Sequence, residues 1–207
     1  MNYLFIDTAE GTRALLCACG KYYYDENMKS AGSEILLPMI DGLLSRAGIK
    51  IQGVDIFGAC IGPGSFTGLR IGLTTIKTFC YATGKPCFAV NNLRLNSYNN
   101  IGKSEKVISI ADAGNRVCYI AVYDGEKELE PAKCVTVDDA KKIVESNPDY
   151  AVSTDVKLSS VFGGTAGVGE KELKIAAERH IANAVSEKEL LPLYIRKPQP
   201  ERGAGDL

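Results

Sequence analysis

A two-lobed α/β fold is what this sequence predicts, on three observations. Strand-like and helix-like segments alternate along the chain, the order strand-strand-strand-helix-strand-helix occurs twice, and a glycine-rich run joins a buried strand to a helix in the first half. At 207 residues, 45% hydrophobic and 24% charged, the chain is long enough to bury a core and ordinary for a globular protein. The duplication is one of layout, since no internal sequence repeat accompanies it. The expected division is a first lobe over 1–104, a smaller second lobe over 105–195 and a loose Pro/Gly-containing tail over 196–207.

Each element has its own signal. Tyr3 to Asp7 and Arg13 to Cys19 read as strands around the turn Ala9-Glu10-Gly11-Thr12, and Tyr22 to Glu26 follows the turn at Gly20-Lys21. A helix is expected from Ser33, a capping residue, to Ala47, with Gly48 stopping it. Asp55 to Ile61 reads as a buried strand, Leu69 to Thr83 as a helix ending at Gly84, and Cys87 to Val90 as a returning strand. In the second half, Val107 to Asp112 and Val117 to Tyr123 suggest a hairpin, with Lys133 to Val135 beside it. Thr136 caps a helix to Glu145 with Asp139 as capping-box partner; Tyr150 to Ser153 is a short strand and Glu170 to Ser186 the last helix.

Composition excludes several classes of function. Lys and Arg number 24 against 25 Asp and Glu, a formal net charge of -1, so no global field draws nucleic acid to the chain. The seven cysteines contain no C-x-x-C pair and sit mostly among apolar neighbours, which fits buried free thiols in a reducing cytosol. Neither a leader-like N-terminus nor an 18-residue apolar run is present, so a cytoplasmic protein with no membrane association is expected. The one histidine, His180, falls in the apolar stripe of the last helix and reads as packed or partner-facing.

The run Gly62-Pro63-Gly64-Ser65-Phe66-Thr67-Gly68-Leu69-Arg70-Ile71-Gly72 is the most informative stretch. It lacks the G-K-[ST] ending of a P-loop, and Thr67 stands where a dinucleotide fingerprint needs its last glycine. Spacing alone leaves two roles open. Gly62, Gly64 and Gly68 either let backbone amides cradle an anion, or permit positive φ and close helix–strand packing.

This run closely resembles the signature of the TsaB (YeaZ-like) family, which has the actin-like, Hsp70-like ATPase fold and is related to the TsaD, glycoprotease-like family. Leu4-Phe5-Ile6-Asp7-Thr8, Ser33-Glu34 with Leu36-Leu37-Pro38, Asp112-Ala113 with Tyr119, and Leu193-Tyr194-Ile195-Arg196 resemble further family segments in the right order. The chain departs from the family at Gly32, where members often carry His, and in the hairpin Gly114-Asn115-Arg116. The resemblance implies a scaffold subunit without catalytic, metal or cofactor site. Such a subunit supports a TsaD-type enzyme and a TsaE-type ATPase in threonylcarbamoylation of the adenosine beside the anticodon, in tRNAs reading codons that start with A. It would meet tRNA indirectly and form a homodimer when TsaD is absent. The alternative is a stand-alone ATP-dependent phosphotransferase or peptidase-like hydrolase of the same fold.

Catalytic relatives carry a metal-binding His-x-x-x-His after the strand that follows the glycine-loop helix; the resemblance puts Asn92 and Asn96 at those positions. Asp7, with Thr8, and Asp112 each end a strand before a turn, where working ATPases of this fold hold a metal–nucleotide complex. They read equally as strand-end aspartates receiving turn amides and as a vestigial nucleotide site. At ~100° per residue, the apolar positions of the first helix cover about 200°, twice what one sheet requires. The excess points to a second buried face, covered either by other parts of the same chain or by a partner; on the second reading Ile35, Met39 and Leu43, with Leu69, Leu73 and Ile76 of the next helix, are the expected partner interface.

Overall fold

The computed structural model describes residues 1–29 and 32–196. In chain order its elements are β1 (Tyr3–Asp7), β2 (Thr12–Ala18), β3 (Lys21–Asn27), α1 (Gly32–Ala47), β4 (Ile56–Gly62), α2 (Phe66–Thr83), β5 (Cys87–Asn91) and α3 (Asn92–Ser97). Then follow β6 (Lys106–Asp112), β7 (Val117–Asp124), β8 (Lys127–Thr136), α4 (Val137–Glu145), β9 (Ala151–Thr154), α5 (Ser159–Phe162), β10 (Thr165–Ala166) and α6 (Glu170–His180). The chain forms two units, residues 1–91 with 169–193, and residues 92–168 with 194–196. This division differs from a break at 104/105: α3 and the turn after it belong with the second sheet, and α6 belongs with the first. Apart from Arg196, the tail expected to be loose lies outside the described residues.

In the first unit the strand order is β3-β2-β1-β4-β5, with β1–β2 and β2–β3 antiparallel and β1–β4 and β4–β5 parallel. Strand β1 is buried along its whole length because both sheet faces are covered. Leu4, Ile6, Leu16 and Phe57 meet Leu36, Ile40 and Leu43 of α1 and Leu73 and Ile76 of α2 in one core. Each such fully buried side chain contributes about 1.5–3 kcal/mol. Alternation sends Phe5 and Phe88 to the opposite face, their rings 5.4 Å apart. Gly58 lies between them in register, where a Cβ would run into the Phe88 ring.

Helix α2 begins three residues before the expected Leu69, because the Ser65 side chain accepts the Gly68 amide at 3.1 Å and caps the helix there. It ends at Gly84, whose φ of 68° suits a left-handed cap and whose amide bonds the Cys80 carbonyl. Helix α6 ends at His180, six residues before the expected Ser186. Residues 181–183 tighten into a 3-10 turn, and Val185 is pulled into an extended bridge with Cys87 by two backbone bonds of 3.0 and 2.7 Å. That bridge pairs Cys87 at the start of the outer edge of β5.

The second unit repeats the same topology: order β10-β9-β6-β7-β8, with β6–β7 and β7–β8 antiparallel and β6–β9 and β9–β10 parallel. The expected duplication of layout is present, but its last helix is the four-residue α5, not α6. Ile108, Ile110, Cys118 and Ile120 pack with Ala140 of α4 on one face; Leu93 of α3 packs with Ala111, Ala121 and Tyr123 on the other. Thr136 caps α4, its hydroxyl accepting the Asp139 amide at 3.1 Å and donating to the Asp139 carboxylate at 2.7 Å. Strand β8 runs well beyond the expected 133–135, since pairing with β7 carries it from Lys127; Pro131 and its charged residues suit a sheet edge.

Candidate functional site

Asp7 is the last residue of β1 and faces Arg13 directly across the ladder, while Arg13 in turn faces Glu26 on β3. Paired residues share a sheet face, so the three charges line up. The Asp7 Oδ1 accepts the Ala9 amide at 2.9 Å, and its Oδ2 accepts Arg13 Nη1 at 2.7 Å. Side-chain exposure is 0% for Asp7 and 2% for Arg13, whereas Glu26, 3.8 Å from Arg13 Nε, is half-exposed. Burial opposes the Arg13 charge, but the carboxylates of Asp7 and Glu10 outweigh it and hold the guanidinium above its ordinary range. Burial, reinforced by Asp7, pushes the Cys60 thiol well up. Both oxygens of Asp7 are thus committed inside the protein, in the way a turn aspartate paired with a buried cation is.

The glycine run is fitted against the turn that follows Asp7. A Cβ on Gly64 would lie 2.7 Å from the Ala9 Cβ, one on Gly68 would collide with the Thr8 carbonyl oxygen, and one on Gly72 with the Thr8 hydroxyl. Gly62 adopts a φ of 99°, open to glycine and costly for other residues. Three of its amides are engaged internally: Ser65 N donates to Ala9 O at 2.8 Å, Gly68 N to Ser65 Oγ at 3.1 Å, and Leu69 N to Ser65 O at 2.8 Å. Of the two roles left open by spacing, this geometry is that of close packing. Asp7 and Thr8, expected as a vestigial nucleotide site, are here held by Arg13 and the Ala9 amide and packed against Gly68 and Gly72.

Asp112 holds the equivalent place in the second unit, at the end of β6. Its Oδ1 accepts the Gly114 amide at 2.9 Å, the same i to i+2 bond that Asp7 makes, and Lys157 Nζ lies 3.4 Å from Oδ2. Its own amide is held by the carboxylate of buried Asp155. Gly114, Asn115 and Arg116 form the turn with φ of 73°, 55° and 60°. At Asn115 and Arg116 this is an unusual, strained conformation for residues with a Cβ.

Asn92 and Asn96 are buried on α3. Neutral amides are a weak donor set for a transition metal. His180, half-buried, ends α6.

The residues expected at a partner interface lie largely in the chain's own core. Met39, Leu43, Leu69, Leu73 and Ile76 are all buried in the chain's own fold, and Ile35 packs against the same core. The broad apolar arc of α1 is needed because this helix covers β2 and β3 and also flanks α2. Facing outward instead are Leu37, Asp41 and Ser45 of α1, and Thr67, Arg70, Thr74, Thr78 and Tyr81 of α2. Leu37 is 55% and Tyr81 85% exposed. Sequence reasoning also missed Arg13. Its signal was present: a lone charge beginning the otherwise apolar strand Arg13-Ala14-Leu15-Leu16-Cys17 must be paired if the strand is central.

Residues 26–193 match the family model described as TsaD, tRNA N6-adenosine threonylcarbamoyltransferase. The chain is 27% identical over 169 residues to an uncharacterized protein of Mycobacterium tuberculosis, covering 81% of this chain and 76% of that one. It is 28% identical over 116 residues to the tRNA threonylcarbamoyladenosine biosynthesis protein TsaB of Haemophilus influenzae, covering 55% and 49%. Its structure aligns with YeaZ from Pseudomonas aeruginosa at a TM-score of 0.78 and 22% identity, over 93% of this chain and 99% of that one. The actin-like fold expected from the sequence is therefore present. The chain belongs to the family described as TsaD, tRNA N6-adenosine threonylcarbamoyltransferase, and it is similar to the TsaB (YeaZ-like) proteins.

Proposed function

We propose that this chain is a non-catalytic subunit that supports a TsaD-type threonylcarbamoyltransferase, with a TsaE-type ATPase, in modifying tRNA. The observation that carries this reading is Asp7: the strand-end carboxylate that a working nucleotide site would use is buried and spent on Arg13 and the Ala9 amide. The amide pair Asn92 and Asn96 points the same way, as a donor set unsuited to a catalytic metal. The partner would dock on the outward faces of α1 and α2, where Leu37 and Tyr81 present apolar surface between small residues such as Gly42, Thr74 and Thr78. In the absence of TsaD the same face would pair two copies of the chain.

The test is threonylcarbamoyl transfer to unmodified tRNA by TsaD and TsaE, supplied with the threonylcarbamoyl-AMP adduct, with and without this chain. The expected result is strong dependence on the chain, with no transfer by the chain alone. Activity that is independent of the chain, or nucleotide hydrolysis by the isolated chain, overturns the proposal.

A further inference from the structure

Strand β3 is the end strand of the first sheet, and among the described residues no strand pairs with its outer side. Its register with β2 runs unbroken from Asn27 opposite Thr12 to Lys21 opposite Ala18, with neither a bulge nor a proline to blunt the edge. The corresponding edge strand of the second sheet, β8, carries both, in Pro131 and the register shifts at Val122. The turn between β2 and β3 has two residues, Cys19 and Gly20, at φ of 50° and 75°. A two-residue hairpin closes on a hydrogen-bonded pair, so Lys21, Tyr23 and Asp25 turn their amides and carbonyls toward β2. Tyr22, Tyr24 and Glu26 turn theirs outward. Two side-chain bonds agree with this: Arg46 Nη2 donates to the Tyr24 carbonyl at 3.1 Å, and the Glu26 amide donates to the Asp25 carboxylate at 2.9 Å.

We propose that β3 pairs antiparallel with β3 of a second copy of this chain, across a two-fold axis at Tyr23, joining the two first sheets edge to edge. Outward backbone groups must face outward groups, so Tyr22 has to lie opposite Tyr22, Tyr24 or Glu26 of the other copy. Charge decides among these. With Tyr22 opposite Tyr24, Lys21 faces Asp25 at both ends of the paired segment and Tyr23 faces Tyr23. With Tyr22 opposite Glu26, Lys21 faces Asn27 and Asp25 faces Tyr23, so neither charge meets its opposite. With Tyr22 opposite itself, Lys21 faces Tyr23 and Asp25 faces Cys19. The strand is thus complementary to itself in one register, and Lys21 and Asp25 are both exposed in the single chain. Arg46 opposes the association, because its bond to the Tyr24 carbonyl is given up when a second strand takes that place. The contact is the backbone edge of β3, so it does not rest on the outward faces of α1 and α2 proposed for TsaD.

The experiment uses the full-length chain carrying Leu37→Glu and Tyr81→Glu, so that the helix face cannot supply a dimer. Sedimentation equilibrium over a concentration series should still show a monomer–dimer equilibrium. Lys21→Glu sets like charges against Asp25 twice and should weaken it by about tenfold. Adding Asp25→Lys to Lys21→Glu should restore it, and Arg46→Ala alone should tighten it by about fivefold. Register is read by cross-linking in a Cys19→Ser background, which removes the exposed thiol. Facing residues of a non-hydrogen-bonded antiparallel pair lie about 4.5 Å apart at Cα, within disulfide reach. Tyr23→Cys should therefore link two copies under oxidised glutathione, whereas Tyr22→Cys and Tyr24→Cys, which do not face themselves, should not. A monomer at every concentration overturns the proposal. So does a doubly reversed chain that associates no better than Lys21→Glu, or Tyr22→Cys linking as readily as Tyr23→Cys.

Discussion

Removing the Arg13 guanidinium tests most directly whether Asp7 is a plugged site. In Arg13→Met the strand keeps a long apolar side chain of similar length, but a fully buried carboxylate is left with one amide donor, that of Ala9. An exposed ion pair would lose 0–1 kcal/mol on this change. Losing one partner of a buried pair costs about 3–5 kcal/mol, because the charge left behind is neither hydrated nor neutralised. For a chain of this size that corresponds to a fall in Tm of about 6–20 °C. Stability is read from urea unfolding followed by circular dichroism, since the chain has no tryptophan. Asp7→Asn in the Arg13→Met background removes the stranded charge while keeping an acceptor for the Ala9 amide, and should recover about half of the loss or more. A loss below about 1 kcal/mol in Arg13→Met would mean that water or mobile cations already reach Asp7. Failure of Asp7→Asn to relieve the loss would mean that Arg13 acts through packing, and the plugged-site reasoning fails with it.

Three further outcomes follow from the same geometry. Gly72→Ala and Gly68→Ala should each destabilise by about 1–3 kcal/mol, and Thr8→Ala should rescue only Gly72→Ala, because the obstacle at Gly68 is the Thr8 main-chain oxygen; equal rescue of both in thermal unfolding would contradict it. Leu37→Glu and Tyr81→Glu should leave the fold intact and weaken TsaD binding, measured by calorimetry, by about 30-fold or more, whereas Leu43→Glu and Leu73→Glu should unfold the chain, both being buried in the core. On the acid side, Lys142 and then Thr136 hold Asp139 below the usual carboxylate range, as the Ser186 amide and then its hydroxyl do for Glu189. A depressed pKa contributes stability above the unfolded value, about 4, that is lost as pH falls through the folded one; Asp139→Asn with Glu189→Gln should therefore flatten the loss of stability below about pH 4 in urea titrations.

What was legible in the sequence is what depends on neighbours along the chain. Strand alternation, the Gly48 and Gly84 stops and the Thr136 cap are local signals, and each placed its element. The start of α2 was displaced because Ser65 lies inside a glycine run, where its capping side chain competes for notice with Gly64 and Gly68. The end of α6 was displaced because Val185 answers to Cys87, 98 residues away, and nothing near Val185 announces that.

The same distinction separates the two halves of the candidate site. Asp7 could be found from its place at a strand end, but whether that carboxylate is available depends on which residue faces it. The facing residue is fixed by the β1–β2 register, which pairs Asp7 with Arg13 and engages its carboxylate inside the protein. The breadth of the α1 apolar arc has the same ambiguity. Periodicity counts how much of the helix is covered without saying by what, and here α2 and the chain's own sheet cover the arc. A second buried face therefore argued for a neighbour without making that neighbour another protein. The surface proposed for a partner is the narrower exposed stripe through Leu37, Thr74 and Tyr81, whose apolar residues are too sparse to stand out from periodicity.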